Sequence, residues 1–185
     1  MGIVRPEQVW VADITYIGSR NNNLYLALIT DAYSKKIVGY DLSESLDCNG
    51  ALRALTMANK NRYYPNVSLI HHSDRGIQYC SDAYQKQIEK YNITASMTES
   101  YDPYANAIAE RVNGILKQEF MLEDIKLSFK NMRAYVKEII TIYNNRRPHA
   151  SCQYLTPELM HRQCDVRIKS YKKVHHSKTR FAVMN

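Results

Sequence analysis

Three carboxylates stand where an acid is costly or well placed for chemistry. Asp13 interrupts Val9-Trp10-Val11-Ala12-Asp13-Ile14-Thr15-Tyr16-Ile17, a run apolar on both alternating faces, as in a strand covered on two sides. An ionised group buried there must meet a cation, meet donors or take up a proton. The plain alternative is an acid paired to an arginine. Asp74 closely follows the short apolar run Val67-Ser68-Leu69-Ile70 and precedes Gly76, at the carboxyl end of an expected strand, where open α/β sheets build sites. Alone it is equally a turn aspartate bonded to its own backbone. Glu110 lies off the apolar stripe of Ile108, Val112, Ile115 and Leu116 and shares a helix face with Asn106, Asn113 and Lys117; most such glutamates are simply solvated. Together the three offer hard oxygen ligands for Mg²⁺ or Mn²⁺. Two such ions ~3.5–4 Å apart would serve both the attacking and the leaving oxygen of a phosphodiester.

Positioning them requires elements from distant parts of the chain. Alternating β-branched and aromatic residues predict strands at about residues 9–17, 24–30 and 36–42, joined by hairpins. Helical spacing follows over 45–60, then a strand over 67–70, a helix over 81–91 and a strand over 93–97. After a break at 101–104, helices are predicted over 105–120 and 128–145, the last with Phe129, Met132, Val136, Ile139, Ile140 and Tyr143 on one face. Pro148 and Pro157 end it and begin the tail. This order specifies an α/β fold with a mixed five-stranded sheet flanked by helices.

Charge is distributed unevenly along the 185 residues. Positions 161–185 hold seven Lys/Arg against Asp165 alone, +6 of the formal +7 net charge. A near-neutral body with a basic tail suits a polyanion, because clustered cations release counterions from phosphates; the alternative is a tail that only aids solubility. No apolar run reaches the ~20 residues of a membrane span and no signal-peptide pattern opens the chain, so a soluble intracellular protein is expected. Cys48, Cys80, Cys152 and Cys164 include no Cys-x-x-Cys pair, which argues against a disulfide framework and against a zinc site with His175 and His176. His72-Ser73-Asp74-Arg75 with Tyr104 downstream also fits a metal-independent tyrosine recombinase, although those are largely helical and this motif follows a strand-rich half.

Between Asp74 and Glu110 lie 35 residues, and this spacing resembles the D,D(35)E signature of retroviral integrases and insertion-sequence transposases of the IS-three type. Four blocks are similar to that family: Trp10-Val11-Ala12-Asp13-Ile14-Thr15-Tyr16, His72-Ser73-Asp74-Arg75-Gly76-Ile77-Gln78-Tyr79, Pro103-Tyr104-Ala105-Asn106-Ala107-Ile108-Ala109-Glu110 and Tyr143-Asn144-Asn145-Arg146-Arg147-Pro148-His149. The resemblance implies a ribonuclease H-like fold and assigns Asp13, Asp74 and Glu110 as the catalytic, metal-holding triad for DNA 3′-end nicking and strand transfer. It places Lys117, seven positions after the glutamate, against DNA near an element's end. Asn106, Asn113, Arg146, Arg147, Lys172 and Lys173 are the further candidate DNA contacts, the arginines competing with a helix-terminus role. Double-stranded DNA, multimers on DNA and a bacterial cytoplasmic location are implied with it. The expected division is a catalytic core over 5–160 and a basic tail over 161–185, without the helix-turn-helix region that the family carries upstream. That difference raises a rival, a folded remnant that binds DNA without transposing it. Ala12 stands where the family commonly has threonine, a departure that leaves metal ligation untouched.

Overall fold

The computed structural model describes residues 2–17, 23–96, 103–164 and 166, with side chains in the fourth helix described from residue 107 onward. Five strands form one sheet in the order β3-β2-β1-β4-β5: β1 (Val9–Tyr16), β2 (Tyr25–Asp31), β3 (Ile37–Ser43), β4 (Ile70–Ser73) and β5 (Thr94–Ser96). The first three are antiparallel neighbours, whereas β4 and β5 run parallel to β1, so the sheet is mixed as predicted.

Pleat alternation divides β1 between two helical layers. Trp10 and Ala12 pack with Ala27 and Ile29 against α1 (Cys48–Lys60) and α3 (Asp82–Lys90), through Ala51, Ala54, Leu55, Tyr84 and Ile88. On the other face Leu26, Leu28 and Leu42 meet α4 (Pro103–Gln118) and α5 (Phe129–Arg146) through Val112, Ile115, Leu116, Val136, Ile139, Ile140 and Tyr143. Gly39 permits the close approach of α1 to β3, since a Cβ there would lie 2.1 Å from the Ala54 carbonyl oxygen. Helix starts follow local chemistry: Asp47, Ser81, Ser128 and Thr156 each accept a hydrogen bond from a backbone N–H of the turn they cap.

Three elements differ from the expectation. The fourth strand begins at Ile70, not Val67, and includes both histidines. Val67 N–H instead bonds the Tyr64 carbonyl in a turn, and the His71 ring is accommodated inside by a 2.9 Å hydrogen bond with the Tyr84 hydroxyl. Burial lowers the His71 pKa to about 4, so the ring is neutral. A short helix α2 (Ile77–Cys80) follows Gly76, and Pro157 opens a helix, α6 (Pro157–His161), where a tail was expected, as proline at the first helical position allows.

Packing also continues past residue 160. His161 is 1% exposed, with Nδ1 2.8 Å from Ser34 Oγ and Nε2 3.5 Å from Glu7 Oε1, and Tyr33 donates its hydroxyl to the Val166 carbonyl at 2.7 Å. The basic residues from Arg167 to Arg180, Lys172 and Lys173 among them, lie outside the described residues. No described helix is long and apolar enough to cross a membrane.

Candidate active site

Parallel pairing of β1 with β4 aligns Ala12 with Ser73, so the next residue of each strand path, Asp13 and Asp74, emerges at the same level. Val11 packs beneath α4 with Ile108, and Asp13, two residues on, shares that face of the sheet. There Asn113 of α4 donates its Nδ2 to Asp13 Oδ2 at 2.5 Å. Burial pushes the Asp13 carboxyl above its usual range and the neighbouring Asp74 charge pushes it further, opposed by the Asn113 hydrogen bond and by Lys117. Asp74 is exposed and bends back on itself, its Oδ1 accepting the Gly76 N–H at 2.9 Å. The turn role expected of an aspartate before glycine is observed, and it uses only one of the two carboxylate oxygens.

Glu110 lies on α4 almost one turn before Asn113 and is exposed, while the stripe of Ile108, Val112, Ile115 and Leu116 is buried as expected. Among the described residues no three His, Cys, Asp or Glu side chains are grouped closely enough to hold a metal ion. The fold thus brings Asp13 and Asp74 together and sets Glu110 on the adjoining helix. Two hard carboxylates side by side, with the charge of one resisting ionisation of the other, suit a divalent cation.

The candidate DNA contacts separate on inspection. Asn113 is only 8% exposed and its amide faces Asp13, its place between the apolar stripe and the Glu110 face turning it inward. Lys117 is half-buried and pairs with Glu123 at 2.7 Å. Arg147 makes two 2.6 Å hydrogen bonds to Glu119 and holds the ends of α4 and α5 together, whereas Arg146 is exposed. The side chain of Asn106 lies outside the described residues.

Other carboxylates are accounted for elsewhere. Asp31 is buried and accepts from Glu7 N–H, Ser34 N–H and Ser34 Oγ at 2.7–2.8 Å. Glu7, also buried, accepts from Arg62 Nε at 3.0 Å and from the Tyr63 and Tyr64 N–H groups. This network was not legible as a site, because its members are scattered from residue 7 to residue 161. His149 is buried edge-on to Tyr143, so its ring is packed inside the fold. Cys152 is buried against the Tyr33 and Ser34 carbonyls and Cys164 is exposed near the Tyr64 hydroxyl, so the two belong to different surroundings.

A mixed sheet with carboxylates at its centre does not fit the tyrosine-recombinase alternative, and His72 is buried within β4 near Ser96. An integrase core domain family model matches residues 4–103, and a second integrase core model matches residues 91–157. The transposase InsF for insertion sequence IS3A of Escherichia coli (strain K12) is 38% identical over 154 residues, covering 83% of this chain and 53% of that protein. The transposase for insertion sequence element IS904 of Lactococcus lactis subsp. lactis (strain IL1403) is 32% identical, covering 83% and 60%. The chain spans about half the length of the curated relatives it matches. Among solved structures, the HTLV-2 integrase catalytic core domain in complex with magnesium superposes with a TM-score of 0.67 at 17% identity, over 85% of this chain and 98% of that one. A chain of the simian T-cell lymphotropic virus intasome in complex with PP2A regulatory subunit B56 gamma gives a TM-score of 0.71 at 22% identity, over 95% of this chain and 62% of that one. Those two likenesses show a shared ribonuclease H-like fold, and with the family models and the sequence relatives they lead to one conclusion: the chain belongs to the integrase core domain family.

Proposed function

We propose that this chain is the catalytic core of an insertion-sequence transposase that nicks DNA at the 3′ end of a mobile element and transfers the freed end to a second site. The observation that supports this most directly is the register of β1 and β4, which delivers Asp13 and Asp74 side by side under the helix that carries Glu110. In the first step a water oxygen bonds to phosphorus as the bond to the 3′ oxygen breaks, leaving a 3′-hydroxyl. That oxygen then bonds to the phosphorus of a target phosphodiester while the target strand's own P–O bond breaks. One phosphodiester is exchanged for another in this second step, so no external energy source is needed.

Asp13, Asp74 and Glu110 are the metal ligands in this reading. Mg²⁺ or Mn²⁺ bound there supplies Lewis acidity to the attacking and leaving oxygens. Asp13 sits on a central strand and holds the fixed ligand position, Asp74 adds a second through a turn locked by Gly76 N–H, and α4 brings Glu110 from the side. Lys117, one face with Glu110, exchanges its pairing with Glu123 for a phosphate near the element's end. Arg146 and the basic residues Lys172 and Lys173 add phosphate contacts, and the basic segment 167–185 serves as a DNA-gripping extension of a core that the packing of His161 carries past residue 160. Because two element ends must be joined, the working form is a multimer on double-stranded DNA, located with the bacterial chromosome in the cytoplasm.

The test supplies Mn²⁺ and a short duplex of the inverted repeats that flank the gene. Nicked and joined strands are expected, abolished by a chelator and reduced by several orders of magnitude in Asp13→Asn, Asp74→Asn and Glu110→Gln. Products that persist in chelator, or an Asp13→Asn protein as active as the wild type, would overturn the assignment. DNA binding without any cleaved product would favour the remnant.

A further inference from the structure

Asn113 is a polar residue in a place that an apolar one of the same size could fill. Its side chain is 8% exposed on the buried flank of α4, beside Val112 at 2% and two residues before Ile115 at 1%. One half of the amide is used, Nδ2 donating to Asp13 Oδ2 at 2.5 Å. The other half is not: Oδ1 is buried and has no hydrogen-bond partner among the described residues. A buried acceptor without a donor costs stability; an apolar residue of like shape would remove that cost but leave Asp13 Oδ2 without its donor. The used half accounts for an amide here, because a lone carboxylate on a strand rotates about its side-chain bonds, and a donor fixed on a packed helix holds one oxygen and leaves the other pointing away.

Resting on the proposed role of Asp13 as a metal ligand, we infer that Asn113 is a positioning residue that fixes the Asp13 carboxylate in its metal-accepting orientation, rather than a contact to DNA. The orientation is enforced by rigid elements on both sides. Asp13 lies in a strand paired with β2 and β4, and Asn113 lies in a helix anchored by Val112, Ile115 and Leu116 in the main core. The amide is also of one chemical sense: turned over, it would set its carbonyl oxygen against a carboxylate oxygen. Outer partners that orient metal ligands are typically worth about 10–100-fold in metal affinity.

The full chain, free of DNA, is titrated with MnCl₂ and bound metal is read by the loss of the free-ion electron paramagnetic resonance signal. Asn113→Leu is expected to weaken Mn²⁺ binding about 10–100-fold, while it still unfolds in one cooperative metal-free transition and its affinity for a short duplex, read by fluorescence anisotropy, is unchanged. Should leucine prevent folding, Asn113→Ala removes the same N–H while leaving room, and the same metal loss is expected. Unaltered Mn²⁺ affinity in a folded variant, or a loss of DNA affinity with metal binding intact, would overturn the inference. Asp13→Asn run alongside separates the two levels. If it binds Mn²⁺ as the wild type does, the ligand assignment itself fails; if it loses metal and Asn113→Leu does not, only the positioning role fails.

Discussion

Glu7→Gln is the sharpest test of what joins the two ends of the described fold. Glu7 sits just before β1, is 1% exposed and has a positive φ of 52°. Burial works to raise its pKa, but His161, Arg62 and the Tyr63 N–H overcome that and lower it from 4.5 to about 2. A fall of that size corresponds to about 3 kcal/mol of stability while Glu7 is ionised. The figure agrees with the roughly 3–5 kcal/mol lost when one partner of a buried ion pair is removed. Glutamine keeps the shape, yet it leaves Arg62 and His161 without the carboxylate they face. For a domain of this size ~3 kcal/mol lowers Tm by about 6–12 °C. A folded pKa below the unfolded one means that the contribution is full above 4.5 and is lost as pH falls towards about 2. Urea unfolding of wild type and Glu7→Gln at pH 6, 4.5 and 3 should therefore give a gap of about 3 kcal/mol at the highest pH that narrows at the lowest. A gap below about 1 kcal/mol at pH 6, or one constant down to pH 3, would refute the claim that this carboxylate is held by charge.

Three further outcomes follow from the same physics. Asp13→Asn should melt higher than metal-free wild type, because burial and Asp74 raise the Asp13 pKa; the gap should open as pH rises above the usual carboxylate range and close below it, as calorimetry at pH 3.5 and 7 would show. His161, whose pKa is raised above 6.5 by hydrogen bonds to Asp31 and Glu7 against the opposing effect of burial, stabilises fully below 6.5 and loses that contribution as pH rises past its raised value; the urea midpoint of His161→Gln should approach that of wild type between pH 6 and pH 9. Deleting residues 167–185 removes six Lys/Arg and should reduce the slope of log affinity against log salt by about 3–5 for duplex DNA; an unchanged slope would return the segment to a solubilising tail.

Local pattern carried much of the fold. Strands β1, β2 and β3 fall within a residue of where alternation placed them, and the buried face of α5 is the one that helical spacing selected, because period and turn chemistry are properties of neighbouring residues. Spacing and motif single out Asp13, Asp74 and Glu110, and of these the pairing of β1 with β4 brings Asp13 and Asp74 to one level. Tertiary structure alone decided the rest, where a polar residue's fate depends on a partner far along the chain. His71 lies in a strand because the Tyr84 hydroxyl meets its ring, and α6 belongs to the core because His161 finds Glu7 and Asp31 at the other end of the sequence. Asn113 faces Asp13 across a separation of 100 residues. Hydrophobic periodicity assigns a face to each segment, but it holds no information on which buried donor will meet which acceptor; that is fixed only when strands pair and helices pack.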